Sequence, residues 1–217
     1  MGTRGVLAAS TVGALVAGAM VLARARTLAW GTLDGERVGA LPGDDLVPDA
    51  AVVATRAVTI DAPPQEVWRW IVQLGQGRGG FYSYDRLENL LGLDIHSADS
   101  IQERWQEVVV GDEIRLAEEV ALRVALVRPP EHLVLLGAPE PGESDAMPMR
   151  MSWAFVVRGA LPRGGAAAAT TRLIVRERYQ PLSVAGRAMV EAVQPVSFLM
   201  SQKMLRGIRD RAERAQP

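Results

Sequence analysis

Along residues 53–214 the spacing of apolar side chains changes repeatedly. It runs from every second residue to the helical period, back to every second residue over a long stretch, and then to the helical period again. Residues 53–60 carry β-branched side chains (Val53, Thr55, Val58, Thr59, Ile60) and stop at Asp61-Ala62-Pro63-Pro64, the mark of a strand closed by proline. A helix follows, because proline is accepted in a first helical turn. Val67, Trp70, Ile71 and Leu74 lie on one of its faces, and Gly75, Gly77, Gly79 and Gly80 break it. Those glycines follow a helix rather than opening one, so they do not form a phosphate loop. The spacing predicts a second short helix over 84–91, with Leu87, Leu90 and Leu91 on its apolar side and Gly92 as its cap. Strands are predicted at 112–117, 121–127, 132–136, 151–157 and 170–180, with turn signals at Gly111-Asp112 and Pro129-Pro130. Residues 184–214 read as one long helix, with Pro195 as its point of bending.

Strand, two helices, a run of antiparallel strands and a long terminal helix make an α+β chain. A curved sheet wrapped around the C-terminal helix accommodates this order, with the early helices closing one end. A sheet twists while a helix stays straight, so the arrangement leaves room for a cavity between them.

The stretch IDAPPQEVWRWIVQLGQGRGGFYSYDRLENLLGLDIHSADSI, with TTRLIVRERY and the KMLRGIRDRAE ending, resembles the SRPBCC superfamily, the START/Bet v 1-like helix-grip proteins. The match is nearest to a bacterial branch described as polyketide cyclase/dehydrase-like. The resemblance covers residues 53–213 and implies a helix-grip fold with a ligand cavity. It implies two kinds of function: binding of a lipid or other hydrophobic small molecule, or a cyclase-like enzyme acting on a polyketide-like substrate. The expected organisation is a hydrophobic segment over 1–26, a linker over 27–52 and a helix-grip domain over 53–215.

Residues 5–23 contain no charge, with Arg4 before them and Arg24 and Arg26 after. A helix of that length is about 28 Å long, close to the hydrocarbon thickness of a bilayer. A single-pass N-terminal anchor is therefore expected, and the flanking arginines lean towards a cytoplasmic domain. Ala23-Arg24-Ala25 also has the form of a signal-peptidase site, which would give a secreted domain. Residues 27–52 are rich in Gly, Pro and Asp without a sustained period and read as an extended linker.

Composition removes several chemistries. With no cysteine and only His96 and His132, disulfides, thiolate chemistry and a multi-histidine metal site are excluded. No metal or cofactor is expected. A net charge of −1 and the lack of a basic–aromatic stripe argue against nucleic acid.

Two places carry candidate chemistry. Arg78, Tyr82, Tyr84, Asp85, Glu88 and Asn89 cluster on the loop and short helix at one end of the expected cavity, where they line an entrance or merely cap and pair the helix. In the last strand the face of Leu173 and Val175 also bears Glu177 and Tyr179. A carboxyl there is costly unless paired or protonated, so Glu177 is a candidate acid/base group or an ion-pair partner of Arg176, Arg178 or the terminal helix. Glu177, Asp85 and Tyr82 are thus the candidate catalytic groups. Trp70, Trp105 and Trp153 are expected as core or cavity lining. The terminal helix should turn Val193, Val196, Met200, Met204 and Ile208 to the sheet, with Met200 and Met204 as an adaptable pocket wall. His96 reads as a structural loop residue.

Overall fold

The structure is a computed structural model that describes residues 18–90, 92–138, 148–160 and 170–214, apart from the side chains of residues 87, 88 and 160. Six strands form one antiparallel sheet: β1 (Val52–Ile60), β2 (Glu113–Ala117), β3 (Val120–Arg128), β4 (His132–Gly137), β5 (Met149–Ala160) and β6 (Thr170–Pro181). Their spatial order is β1-β6-β5-β4-β3-β2. Three helices join them, α1 (Pro64–Val72), α2 (Asp85–Leu90) and the long α3 (Val184–Arg214). The chain is therefore α+β, with an antiparallel sheet and a long C-terminal helix, consistent with a helix-grip arrangement. Register shifts between Arg115 and Ala117 and between Val124 and Leu126 mark irregularities that bend the outer strands.

Ala54 and Trp153 both pair with Glu177, and Phe155 and Arg56 both pair with Val175. Side chains two apart share a face. Val58, Ile60, Trp153, Phe155, Val157, Leu173 and Val175 thus meet α1 and α3 in the main core, together with Val67, Ile71, Leu205 and Ile208. Gly207 fits this packing because a Cβ there would run into the Tyr82 carbonyl.

Within residues 27–52, expected as an extended linker, Leu28 and Trp30 pack on the α3 side, and residues 31–48 form a strap over the opposite face of the sheet. Leu41 packs there with Ala57, Val156 and Ile174. The outward arginines of β6 hold it. Arg172 bonds Glu36 at 2.7 and 2.8 Å. Arg176 bonds Asp44 at 2.6 Å and the carbonyls of Glu36, Arg37 and Gly39. Arg178 bonds the Val47 and Pro48 carbonyls. The strap shows no apolar period because polar ties, not an apolar stripe, fix it.

The second half of α3 turns Met200, Met204 and Ile208 inward as expected, but the first half departs from expectation. Val190, Gln194, Ser201, Met204, Leu205, Ile208 and Ala212 are buried, whereas Val196 is 52% exposed. Polar side chains occupy inward positions in the first half of the helix, so an apolar stripe does not trace its inner face.

Residues 18–28 are helical. Residues 5–17 of the expected membrane span lie outside the described residues. Among the described residues no helix is long and apolar enough to cross a membrane.

Candidate functional site

Between α3 and the sheet lies a cavity of about 180 Å³, lined by Phe81, Ser83, Leu116, Met151, Trp153, Glu177, Tyr179, Ser197, Met200, Ser201 and Met204. Each wall follows from a local pattern. β5 and β6 supply it through strand alternation, and α3 supplies Ser197, Met200, Ser201 and Met204 at helical spacing.

Glu177 is the one acidic side chain of this wall and is 4% exposed. Its Oε1 accepts from Arg56 Nη1 at 2.8 Å and Ser201 Oγ at 2.6 Å. Its Oε2 accepts from Tyr179 Oη at 2.7 Å and Ser197 Oγ at 2.5 Å. A carboxylate has about four lone-pair sites, so these donors fill it. Arg56, 1% exposed, also donates through Nη1 to both serines at 3.2 Å and through Nε to the Thr27 carbonyl. Burial, reinforced by Glu177, pushes the Tyr179 phenol well above its ordinary range, so it stays a donor to the carboxylate. The expected partners Arg176 and Arg178 point to the other face. The actual partner, Arg56, stands on β1, where it shares the parity of Ala54, Val58 and Ile60. Arg56 on that parity, with Ser197 and Ser201 one turn apart, was the available signal of a buried polar cluster.

A second, open cleft of about 840 Å³ lies outside, between the start of α2 and the second half of α3. Tyr82, Tyr84 and Asp85 line it, together with Lys203, Arg211 and Arg214. Asp85 accepts from the Ser97 amide at 2.7 Å and the Ser97 hydroxyl at 2.6 Å. The Tyr82 hydroxyl is buried, receives a bond from Gln73 at 2.9 Å and donates to the Trp70 carbonyl at 3.1 Å. Burial raises the Tyr82 pKa far above the ordinary phenol value, only partly offset by Gln73. Arg211 covers its ring at 4.7 Å.

The candidates therefore separate. Trp153, Glu177, Tyr179, Met200 and Met204 share the inner cavity; Tyr82, Tyr84 and Asp85 share the outer cleft; Ser83 alone lines both. Trp70 is core, edge-on to Tyr82 at 5.7 Å. Arg78 is half-buried and ties the glycine loop by bonds to the Val72 and Trp105 carbonyls, and burial lowers its pKa. Trp105 stacks under Arg104 away from both cavities. Asn89 bonds the backbone of Ile95 in both directions. His96 pairs with Asp94 in an exposed loop. The Glu88 side chain lies outside the described residues. Glu177, Asp85 and Tyr82 do not converge as an acid/base set.

No protein-family model matches the chain, and no curated protein matches it. Among solved structures, a hypothetical protein of Helicobacter pylori is 10% identical, covers 80% of this chain and 95% of its own, and has a TM-score of 0.49. Norcoclaurine synthase from Thalictrum flavum, in complex with dopamine and hydroxybenzaldehyde, is 12% identical over 86% of this chain and 95% of its own, with a TM-score of 0.43. A protein of Mesorhizobium loti is 15% identical over 75% of this chain and 99% of its own, with a TM-score of 0.39.

Proposed function

We propose that this chain is a membrane-tethered binding domain that takes a ring-sized, largely apolar molecule into the space behind α3. The observation that carries this reading is the cavity of about 180 Å³ whose one acidic side chain already has its acceptor sites filled. An apolar cavity of roughly 150 Å³ accepts a benzene-sized guest, whereas drug-sized ligands need roughly 300 Å³ or more. The part of a guest held between α3 and the sheet is therefore about one ring in size. Met151, Met200 and Met204 give the wall some adaptability. Support for the tether is the uncharged run over 5–23 with arginines at its ends. Under this reading Glu177, Arg56 and the hydroxyls are the rigid floor of the site.

Isothermal titration with indole, p-cresol and dodecanoate tests it. Saturable binding of indole or p-cresol, with a matching rise in Tm, and none of dodecanoate is the expected result. A folded protein that binds neither ring compound overturns the proposal.

A further inference from the structure

The first half of α3 carries apolar side chains outward, while its inner face mixes Val190 with Gln194 and Ser197. Val190 faces inward and is buried, while Val184, Met189, Val196 and Leu199 face outward and are 47–89% exposed. Residues 184–200 hold two charged side chains, Arg187 and Glu191, against seven in residues 201–214. An apolar patch left on the outside of a helix that already packs on a sheet marks an interaction or membrane surface. The helical residues Met20, Val21 and Leu22 add 60–68% exposed apolar side chains. Arg24, one turn further on, joins α3 through a two-pronged ion pair with Glu191 at 2.6 and 2.9 Å. The outward face of α3 is thus attached to the described end of the uncharged run over 5–23.

We infer that the outer face of α3 over residues 184–199 lies in the interfacial zone of an acidic phospholipid bilayer. This rests on the tether proposed above. Continuity with the uncharged run names the occupant. The surrounding charge agrees: Arg24, Arg26 and Arg187 against Glu191 leave an excess of cations where anionic headgroups sit. An amphipathic or all-apolar helix beside an anchor buries its outer side chains at the headgroup–acyl boundary, and long arginines reach the headgroups. The placement has a consequence for the site. Ser197, Met200 and Ser201 line the cavity from the inner side of the same turns that carry Val196 and Leu199 outward. A lipophilic guest then passes from bilayer to cavity along α3 without crossing bulk water.

The chain has no cysteine, so single reporters are clean. Val196→Cys, Leu199→Cys and, at the opposite edge of the sheet, Glu113→Cys are made in the full chain. Each is labelled with nitrobenzoxadiazole and reconstituted into phosphatidylcholine–phosphatidylglycerol vesicles. The expected result is co-flotation of all three, with brominated lipid quenching positions 196 and 199 several-fold more than 113. The difference should shrink in phosphatidylcholine alone. No co-flotation overturns the tether and this inference together. Co-flotation with equal quenching at the three positions overturns this inference alone. A blue-shifted label at 196 whose emission shifts with protein concentration, without lipid quenching, assigns the face to a second copy and also overturns it.

Discussion

Arg56 and Glu177 each lose several kcal/mol of hydration on burial, and their attraction offsets this only when every remaining donor and acceptor is also satisfied. Three hydroxyls complete the carboxylate, while Arg56 Nη2 is buried without a hydrogen-bond partner among the described residues, so the cluster is satisfied on the acid's side only and removing either partner strands the other. Arg56→Met or Glu177→Gln is expected to cost roughly 3–5 kcal/mol, read from urea midpoints. Arg56→Met with Glu177→Leu should recover more than half of that loss, because the pair is then replaced by packed apolar volume. A double variant no more stable than the singles contradicts the account. An acid/base Glu177 would behave otherwise: Glu177→Gln would keep its stability and lose turnover. The inward direction of Glu177 was legible from alternation alone. Its partner was not, since Arg56 is 121 residues away and only the β1–β6 register brings them together.

Strands and helices were legible wherever one face is apolar, and their observed bounds differ from the expected ones by a few residues at most. The elements that escaped are those fixed by polar contacts. The strap over the outer face has three β6 arginines as its attachment, and the inward turns of α3 carry Gln194, Ser197 and Ser201 in place of the apolar stripe read from sequence. One of these ties titrates. Burial alone would raise the Glu36 pKa, but its bonds to Arg172 and the Leu33 amide outweigh burial and lower it below 4.5. A depressed carboxyl contributes stability that is present above 4.5 and is lost as pH falls through the folded value. Glu36→Gln should therefore lower the urea midpoint at neutral pH and flatten its fall below 4.5. An unchanged acid limb in the variant would show that the Glu36–Arg172 tie does not contribute.

At the scale of the molecule the open question is why the sheet and α3 leave space between them. The alternation of β5 and β6 and the position of α3 in the chain foretold a gap, but not its volume, which depends on how far Arg56 and its hydroxyl partners hold the helix. If the space is for a guest, filling it should move stability and uptake in opposite directions. Leu116 suits the test, since it lines the cavity from a short edge strand that can shift to admit a larger ring. Leu116→Trp is expected to raise the Tm while abolishing the heat of binding for indole. Retained indole binding in a folded Leu116→Trp variant would place the guest elsewhere, with the outer cleft beside Tyr84 as the next candidate.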